Sequence, residues 1–186
     1  MTHSAEFTQR FCRRWIEKAD NYDDKSLDGV FDKFFSLYVA FNRLYSHLDL
    51  RFNGGRKGDK EQATTVFSRI VGAVNLKRAL QADDRYDDIH TLAALIAPGG
   101  GFHVCSVRGT HSRDDIKNLN LHGRLVSNDV RTKVNALLEY LYRLRCNMFH
   151  GSKDFDEEQI QILQPATRCL RCVIYEGLNR LVGDAT

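Results

Sequence analysis

Apolar residues recur at three- and four-residue spacing along most of the chain, which is the period of a helix with one buried face. The pattern predicts a first helix over 8–19 and a second over 27–50, with Ser26 as the N-cap of the second. It predicts further helices over 59–80, 83–96, 129–150 and 156–181. The predicted fold class is therefore all-α, a bundle of four or more helices.

Three places in this pattern depend on a specific residue. Asp59 is expected to cap the helix it begins, and Ser127 or Asn128 the helix that begins at Asp129. Pro165 should either kink the last helix or mark its true start, because proline cannot donate a helical hydrogen bond.

The stretch around 98–127 departs from the helical period. Pro98 and the glycines at 99–101 end the helix before it. Residues 103–107 could form a short strand paired with residues 124–126. The prediction here is an irregular insertion around 98–127, with a short β-hairpin as one option.

Length and composition are those of one globular domain over 1–186. Hydrophobic residues make up 42% and charged residues 27%, which argues against disorder. A net charge of +3 does not by itself mark a nucleic-acid-binding protein. It is compatible with one, because what matters is how the charges cluster on the folded surface.

The ends of the chain and its cysteines predict a cytoplasmic protein that does not enter the membrane. Residues 1–6 contain no basic region leading into an apolar stretch, and apolar runs such as 92–97 are too short to span a bilayer. Five cysteines is an odd number for a disulfide framework, so reduced thiols are expected.

The cysteines leave two minor alternatives open. Cys169 and Cys172 form a CxxC pair that, with Cys146 and His150, could hold zinc, although both pairs lie inside predicted helices rather than on turns. Cys146 and His150 also lie one helical turn apart, which permits a thiolate nucleophile activated by the imidazole. Ordinary helix packing is the simpler interpretation of these cysteines.

The candidate catalytic residues lie in the segment Arg145-Cys146-Asn147-Met148-Phe149-His150-Gly151, at the end of the long helix that begins near residue 129. A guanidinium stays charged and can hold a phosphate through two hydrogen bonds, and an imidazole can transfer protons near neutral pH. The R-x4-H spacing alone is weak, since about one match is expected by chance. A second match, Arg85 to His90, is interpreted as chance because its acidic surroundings would repel phosphate.

An apolar helix precedes this segment and another helix follows it. In this setting the segment resembles the motif of the HEPN superfamily, which often has the form R-N-x-x-F-H-G. The resemblance covers chiefly residues 129–181. It implies a helical bundle, commonly a homodimer, that cleaves RNA without metal or cofactor and leaves 2′,3′-cyclic phosphate ends. The residues it singles out are Arg145, His150 and Asn147 as catalytic and Arg143, Cys146 and Lys153 as RNA-binding.

Cys146 departs from the family pattern, in which the position after the arginine is usually polar. That departure supports an alternative: a catalytically inactive HEPN-like module that binds RNA, a nucleotide or a partner protein. For the active form, the resemblance implies a role in toxin–antitoxin pairs, phage defence or RNA processing, with an antitoxin or regulatory protein as a possible partner.

Helix geometry constrains how the two motif residues can act together. Five residues at about 100° each place Arg145 and His150 about 140° apart around an ideal helix. They can meet on one phosphate if the helix ends at His150, as Gly151 suggests, or if a homodimer supplies a second copy of the motif. The helix C-terminus favours the charged form of His150, which suits a general acid.

Overall fold

The computed structural model describes residues 2–104, 111–149 and 157–183. The chain begins with two helices that pack against each other. They are α1 (Thr2–Asp20) and α2 (Leu27–Asn53). The predicted N-cap is confirmed, because the Ser26 hydroxyl accepts a hydrogen bond of 3.1 Å from the Gly29 N–H. Gly54 caps the end of α2 with a φ of 73°, a left-handed conformation that suits glycine.

The helix predicted over 59–80 is broken into four pieces. They are α3 (Asp59–Glu61), a π-helical turn (Gln62–Val66), α4 (Phe67–Val71) and α5 (Ala73–Ala82). Gly72 separates the last two with φ 96°, a conformation that side chains disfavour. The predicted cap at Asp59 is also displaced, because Gly58 holds the N-cap position. Helix α6 (Tyr86–Leu95) follows.

The β-hairpin proposed for the 98–127 insertion is wrong. Residues 111–125 form helix α7 (His111–Leu125), and no strand occurs in the described ranges. The supposed second strand at 124–126 is the end of this helix, while 105–107 of the first lie outside the described residues. The helical period was obscured because Ile116 and Leu119 are more than half exposed, so apolar residues lie on both faces of α7.

Two long helices complete the bundle. They are α8 (Val130–Phe149) and α9 (Ile160–Gly183), the second preceded by a 3-10 turn (Glu157–Gln159). Asp129 caps α8 rather than Ser127 or Asn128, since its carboxylate accepts a 2.7 Å hydrogen bond from the Thr132 N–H. Pro165 does not mark the start of α9, which begins at Ile160.

The all-α prediction is confirmed, and its core forms around α2. This helix packs against α1 and α9, and it carries Phe41, whose ring meets those of Tyr45 and Phe67 edge-on at 5.1 and 5.0 Å. Every ring of this trio is fully buried. Nowhere in ranges 2–104, 111–149 and 157–183 does a helix combine the length and apolarity needed to cross a membrane.

Candidate functional site

Arg145 lies in the last turns of α8, and its side chain reaches the middle of α2. The guanidinium is 3.5 Å from the Asp59 carboxylate, stands 5.7 Å from the centre of the Tyr38 ring, and remains about one quarter exposed. Burial lowers the pKa of Arg145, but its interactions with Cys146, Tyr38 and Asp59 outweigh burial and raise it. Arg145 is thus a positioned cation with access to solvent.

A chain of hydrogen bonds fixes the carboxylate beside Arg145. The Tyr45 hydroxyl donates to Asp59 Oδ1 at 2.5 Å, and Asn42 Nδ2 donates to that hydroxyl at 2.9 Å. Burial raises the pKa of Tyr45, with Tyr38 and Asp59 adding to the effect, so the phenol stays protonated and donates. Residues on α2 therefore orient Asp59 toward Arg145.

The two motif residues after Arg145 make local contacts. Asn147 Nδ2 donates a 3.0 Å hydrogen bond to the Val104 carbonyl, which ties α8 to the segment before residue 105. Cys146 is half-buried, and its Sγ lies 3.9 Å from the Arg145 guanidinium. Burial, with Cys146 adding to it, raises the pKa of Tyr142 to about 12. The side chain of Cys146 thus contacts that of Arg145, its neighbour in the chain.

His150, Gly151 and Lys153 lie outside the described residues, and α8 is described as far as Phe149. The catalytic role of His150 and the RNA-binding role of Lys153 stay predictions.

Arg143 belongs to a different group of charges, here called the Glu139 cluster: Glu139, Lys60, Arg124 and Arg143. The buried Glu139 carboxylate receives hydrogen bonds from the three cations at 2.9, 2.6 and 2.7 Å respectively. Burial opposes the charge of Glu139, but the three cations lower its pKa to about 2. The cluster carries a net charge of +2, so a basic surface remains around Arg143.

The second R-x4-H match is part of an ion-pair network. Arg85 lies 3.2 Å from both Asp83 and Asp88, and Asp88 also binds Arg168 at 2.5 Å. Because Asp88 is buried, its two arginines stabilise the packing of α6 on α9. The Arg85 guanidinium is therefore already paired with carboxylates of the protein itself.

The described cysteines outside the motif, Cys12, Cys169 and Cys172, are buried. Burial raises the pKa of Cys172 to about 11 and that of Cys169 well above its ordinary range. Within the described ranges, no three histidine, cysteine, aspartate or glutamate side chains come together in a way that could hold a metal ion. Cys105 and His150 lie outside those ranges.

A cavity of about 320 Å³ opens beside Arg145, between α1, α2 and α8. We call it the α1–α2 cleft; its walls include Phe11, Phe35, Tyr38, Asn42, Arg43 and Arg145. In this wall Tyr38 is buried, whereas Phe35 is partly exposed. Arg43 was missed, although a lone arginine within the apolar stripe of α2 was a usable signal.

Among known proteins, no family model, no curated protein and no solved structure matches this chain. The resemblance to the HEPN superfamily accordingly stays a prediction carried by the motif at 145–151 and the helices around it.

Proposed function

We propose that this protein is a metal-independent endoribonuclease of the HEPN type, in which Arg145 holds the reacting phosphate and His150 transfers a proton. The observation that supports the proposal is the placement of Arg145: its guanidinium forms part of the wall of an open cleft and is held there by Tyr38 and Asp59. A fixed cation at the mouth of a cavity is suited to an anionic substrate.

The chemistry uses the nucleophile that RNA itself carries, the 2′-hydroxyl. Its oxygen forms a bond to phosphorus while the bond from phosphorus to the 5′-oxygen breaks. The 2′ proton leaves to a base, and the departing 5′-oxygen receives a proton from His150. Arg145 donates hydrogen bonds to the phosphate oxygens, where negative charge grows in the transition state. The products are a 2′,3′-cyclic phosphate and a 5′-hydroxyl.

A homodimer would supply both proton-transfer groups. With two motifs facing one substrate, one His150 accepts the 2′ proton and the other protonates the leaving oxygen. The angle of about 140° between Arg145 and His150 on an ideal helix favours such a composite site.

One contact favours a second candidate function. In it, the protein is a catalytically inactive module that binds RNA, a nucleotide or a partner protein. Asp59 already neutralises part of the Arg145 charge at 3.5 Å, and Cys146 stands where the family usually has a polar side chain. Such a module would bind its ligand through the same cleft without cutting it.

The test is cleavage of a mixed pool of single-stranded and structured RNA in EDTA. We expect the wild-type protein to cut the pool and leave cyclic phosphate ends, and both Arg145→Ala and His150→Ala to lose at least about 100-fold in rate. The matched control is His90→Ala, which removes an exposed histidine from the other R-x4-H match and should cleave like the wild type.

Two results would refute the catalytic proposal. One is an inactive wild-type protein in dimeric, folded form. The other is a His150→Ala variant as active as His90→Ala. Either result leaves the binding module as the better account.

A further inference from the structure

We propose that a cavity between the end of α6 and α7 binds an uncharged, mainly apolar small molecule, and that the bound molecule acts on Asn147 of the motif through Val104. The cavity has a volume of about 530 Å³, larger than the α1–α2 cleft and within the range of roughly 300–1,000 Å³ that small-molecule sites occupy. We call it the α6–α7 cavity; its walls include Ile96, Phe102, His103, Ile116, Asn118 and Leu119.

Two apolar side chains of α7 line the cavity and remain in contact with water. Ile116 is 60% exposed and Leu119 is 51% exposed, and their spacing of three residues places them on one face of the helix. The partly buried Phe102 and the buried Ile96 continue this apolar wall. Apolar surface inside a concave wall is unfavourable in water, and an apolar ligand would cover it.

The loop that forms the other wall is held in place by backbone hydrogen bonds. The Gly100 N–H donates to the Ala97 carbonyl at 2.8 Å, and the Phe102 N–H donates to the Leu95 carbonyl at 3.1 Å. A Cβ on Gly100 would collide with the carbonyl oxygens of Ala94 and Leu95, so this close approach requires glycine. The cavity is therefore pre-formed, and a ligand would not have to order the loop.

The described residues that line the cavity include no aspartate, glutamate, lysine or arginine. The polar side chains of the wall are those of His103 and Asn118. Asn118 Oδ1 accepts a 3.0 Å hydrogen bond from the Val104 N–H, so its Nδ2 faces His103 Nδ1 at 3.3 Å. A histidine ring with one accepting nitrogen is uncharged. A charged ligand would lose hydration here without gaining a counter-charge, which favours an uncharged one.

The size of the apolar surface favours a small molecule over a protein partner. A stable protein interface buries about 800 Å² on each side. Among the described residues of the cavity wall, Ile116 and Leu119 are the large apolar side chains that are more than half exposed. Two such side chains offer too little area to hold a second copy of this chain, but they suffice for one wall of a pocket.

One buried residue connects the cavity to the motif. Val104 donates its N–H to Asn118 in the cavity wall, and its carbonyl accepts a 3.0 Å hydrogen bond from Asn147 Nδ2. Val104 itself is 1% exposed, so water competes little for these two bonds. A ligand packed against α7 beside Asn118 would restrict the backbone at Val104 and, through it, the side chain of Asn147. An effect on RNA cleavage rests on the proposed function, whereas the binding site does not.

The experiment is an NMR titration of the full ¹⁵N-labelled chain with two uncharged probes, 1-octanol and indole, and two charged ones, octanoate and octylammonium. We expect the uncharged probes to bind one to one with a Kd of about 1 mM or lower, and the charged ones at least about tenfold more weakly. Leu119→Gln should weaken binding of 1-octanol about fivefold or more. Its thermal stability should stay that of the wild type, because the side chain it replaces is exposed.

The matched control is Leu50→Gln, which changes a leucine of α2 that is 63% exposed and lies outside the cavity wall. It should bind both uncharged probes like the wild type. Equal losses in Leu119→Gln and Leu50→Gln, octanoate binding as tight as that of 1-octanol, or no binding of either uncharged probe would overturn the proposal. If the uncharged probes fail and Leu119→Gln instead weakens self-association in sedimentation velocity, this face is an interface between copies of the chain.

The connection to the motif is measured on Asn147. 1-Octanol should shift the side-chain amide signal of Asn147 in the wild type but not in Leu119→Gln. Coupling is reciprocal, so Asn147→Ala, at a position outside the cavity wall, should change the affinity for 1-octanol about threefold or more. An unmoved Asn147 signal together with an unchanged affinity in Asn147→Ala would refute the connection through Val104.

Failure of this proposal can be told apart from failure of the proposed ribonuclease, because none of these measurements uses RNA. Binding of 1-octanol that depends on Leu119, in a protein that cuts no RNA, would refute the ribonuclease alone. RNA cleavage that His150→Ala abolishes, in a protein that binds neither uncharged probe, would do the reverse.

Discussion

Asp59, at the start of α3, lies 3.5 Å from Arg145, near the end of α8. The carboxylate is held there by the Tyr45 hydroxyl at 2.5 Å. This pair brings an opposing charge to the arginine of the candidate site, so it should weaken the attraction of Arg145 for anions. It also fixes the guanidinium in place, which is useful for a group that must meet a phosphate.

Asp59→Asn is expected to strengthen RNA binding about twofold to fivefold. Asparagine can still accept from Tyr45, but the opposing charge is gone, and partly exposed ion pairs are worth about 0.2–1 kcal/mol. The measurement is the affinity for a 2′-O-methyl RNA hexanucleotide, which cannot be cut, at two salt concentrations.

Asp32→Asn is the matched control, since it removes one exposed negative charge from α2. It should change affinity less than Asp59→Asn at both salt concentrations. The same increase in both variants would mean that only net charge matters, and that the contact with Arg145 does not.

The long helices could be predicted from the sequence because their apolar spacing is a local property. Helices α2, α8 and α9 begin and end within about four residues of the predicted bounds. The break at Gly72 could not be predicted, since the apolar period continues across it on both sides. Helix α7 was missed because Ile116 and Leu119 lie on its exposed face.

The candidate site could be predicted only where a motif marks it. Arg145 was singled out by its spacing from His150, but Asp59 and Arg43 were not, because their relation to Arg145 arises from tertiary packing. No spacing rule connects residues on α2, α3 and α8. The sequence likewise placed Arg143 beside RNA without showing that Glu139 binds it.

The Glu139 cluster should make stability depend on pH in acid. The folded pKa of Glu139 is about 2, below its ordinary value of 4.5, so its contribution is complete above about pH 5 and is lost as the pH falls toward 2. Because Lys60 and Arg124 are partly exposed, screening limits this contribution to about 2 kcal/mol. Urea unfolding of the wild type and of Glu139→Gln over pH 2–6 measures it.

The expected result is a difference in unfolding free energy of about 2 kcal/mol at pH 6 that shrinks as the pH falls toward 2. Other carboxylates titrate in both proteins and cancel in the difference. Glu17→Gln, at an exposed position on α1, should give a small and constant difference. A constant difference for Glu139→Gln as well would show that its carboxylate does not hold the three cations.

At Gly177, α9 packs closely against the core. A Cβ built there would lie 2.7 Å from Leu44 and 2.8 Å from Phe67, both of which are fully buried. Gly177→Ala should therefore lower the unfolding free energy by about 1–3 kcal/mol, despite the better helix propensity of alanine. Thermal and urea unfolding measure the loss.

Gly123→Ala serves as the comparison for the glycine prediction. Gly123 lies in α7. Apart from its chain neighbours and the backbone of the helix itself, no atom lies within 4 Å of the point where an alanine methyl group would stand, so alanine should be neutral or stabilise by up to about 1 kcal/mol. Equal stability of the Gly177→Ala and Gly123→Ala variants would mean that α9 can shift to make room.

The buried thiols should resist alkylation until the protein unfolds. Burial raises the pKa of Cys172 to about 11 and that of Cys12 to about 12, so the reactive thiolate at pH 8 is about 100-fold scarcer or more than at the ordinary pKa of 9.0. Iodoacetamide should label these two and Cys169 at least about 100-fold faster in urea than in the folded protein.

Cys146, which is half-buried, should be labelled first among the four described cysteines. Peptide mass mapping over time measures each rate, and a Cys172 labelled as fast in the folded protein as in urea would contradict the burial of the CxxC pair.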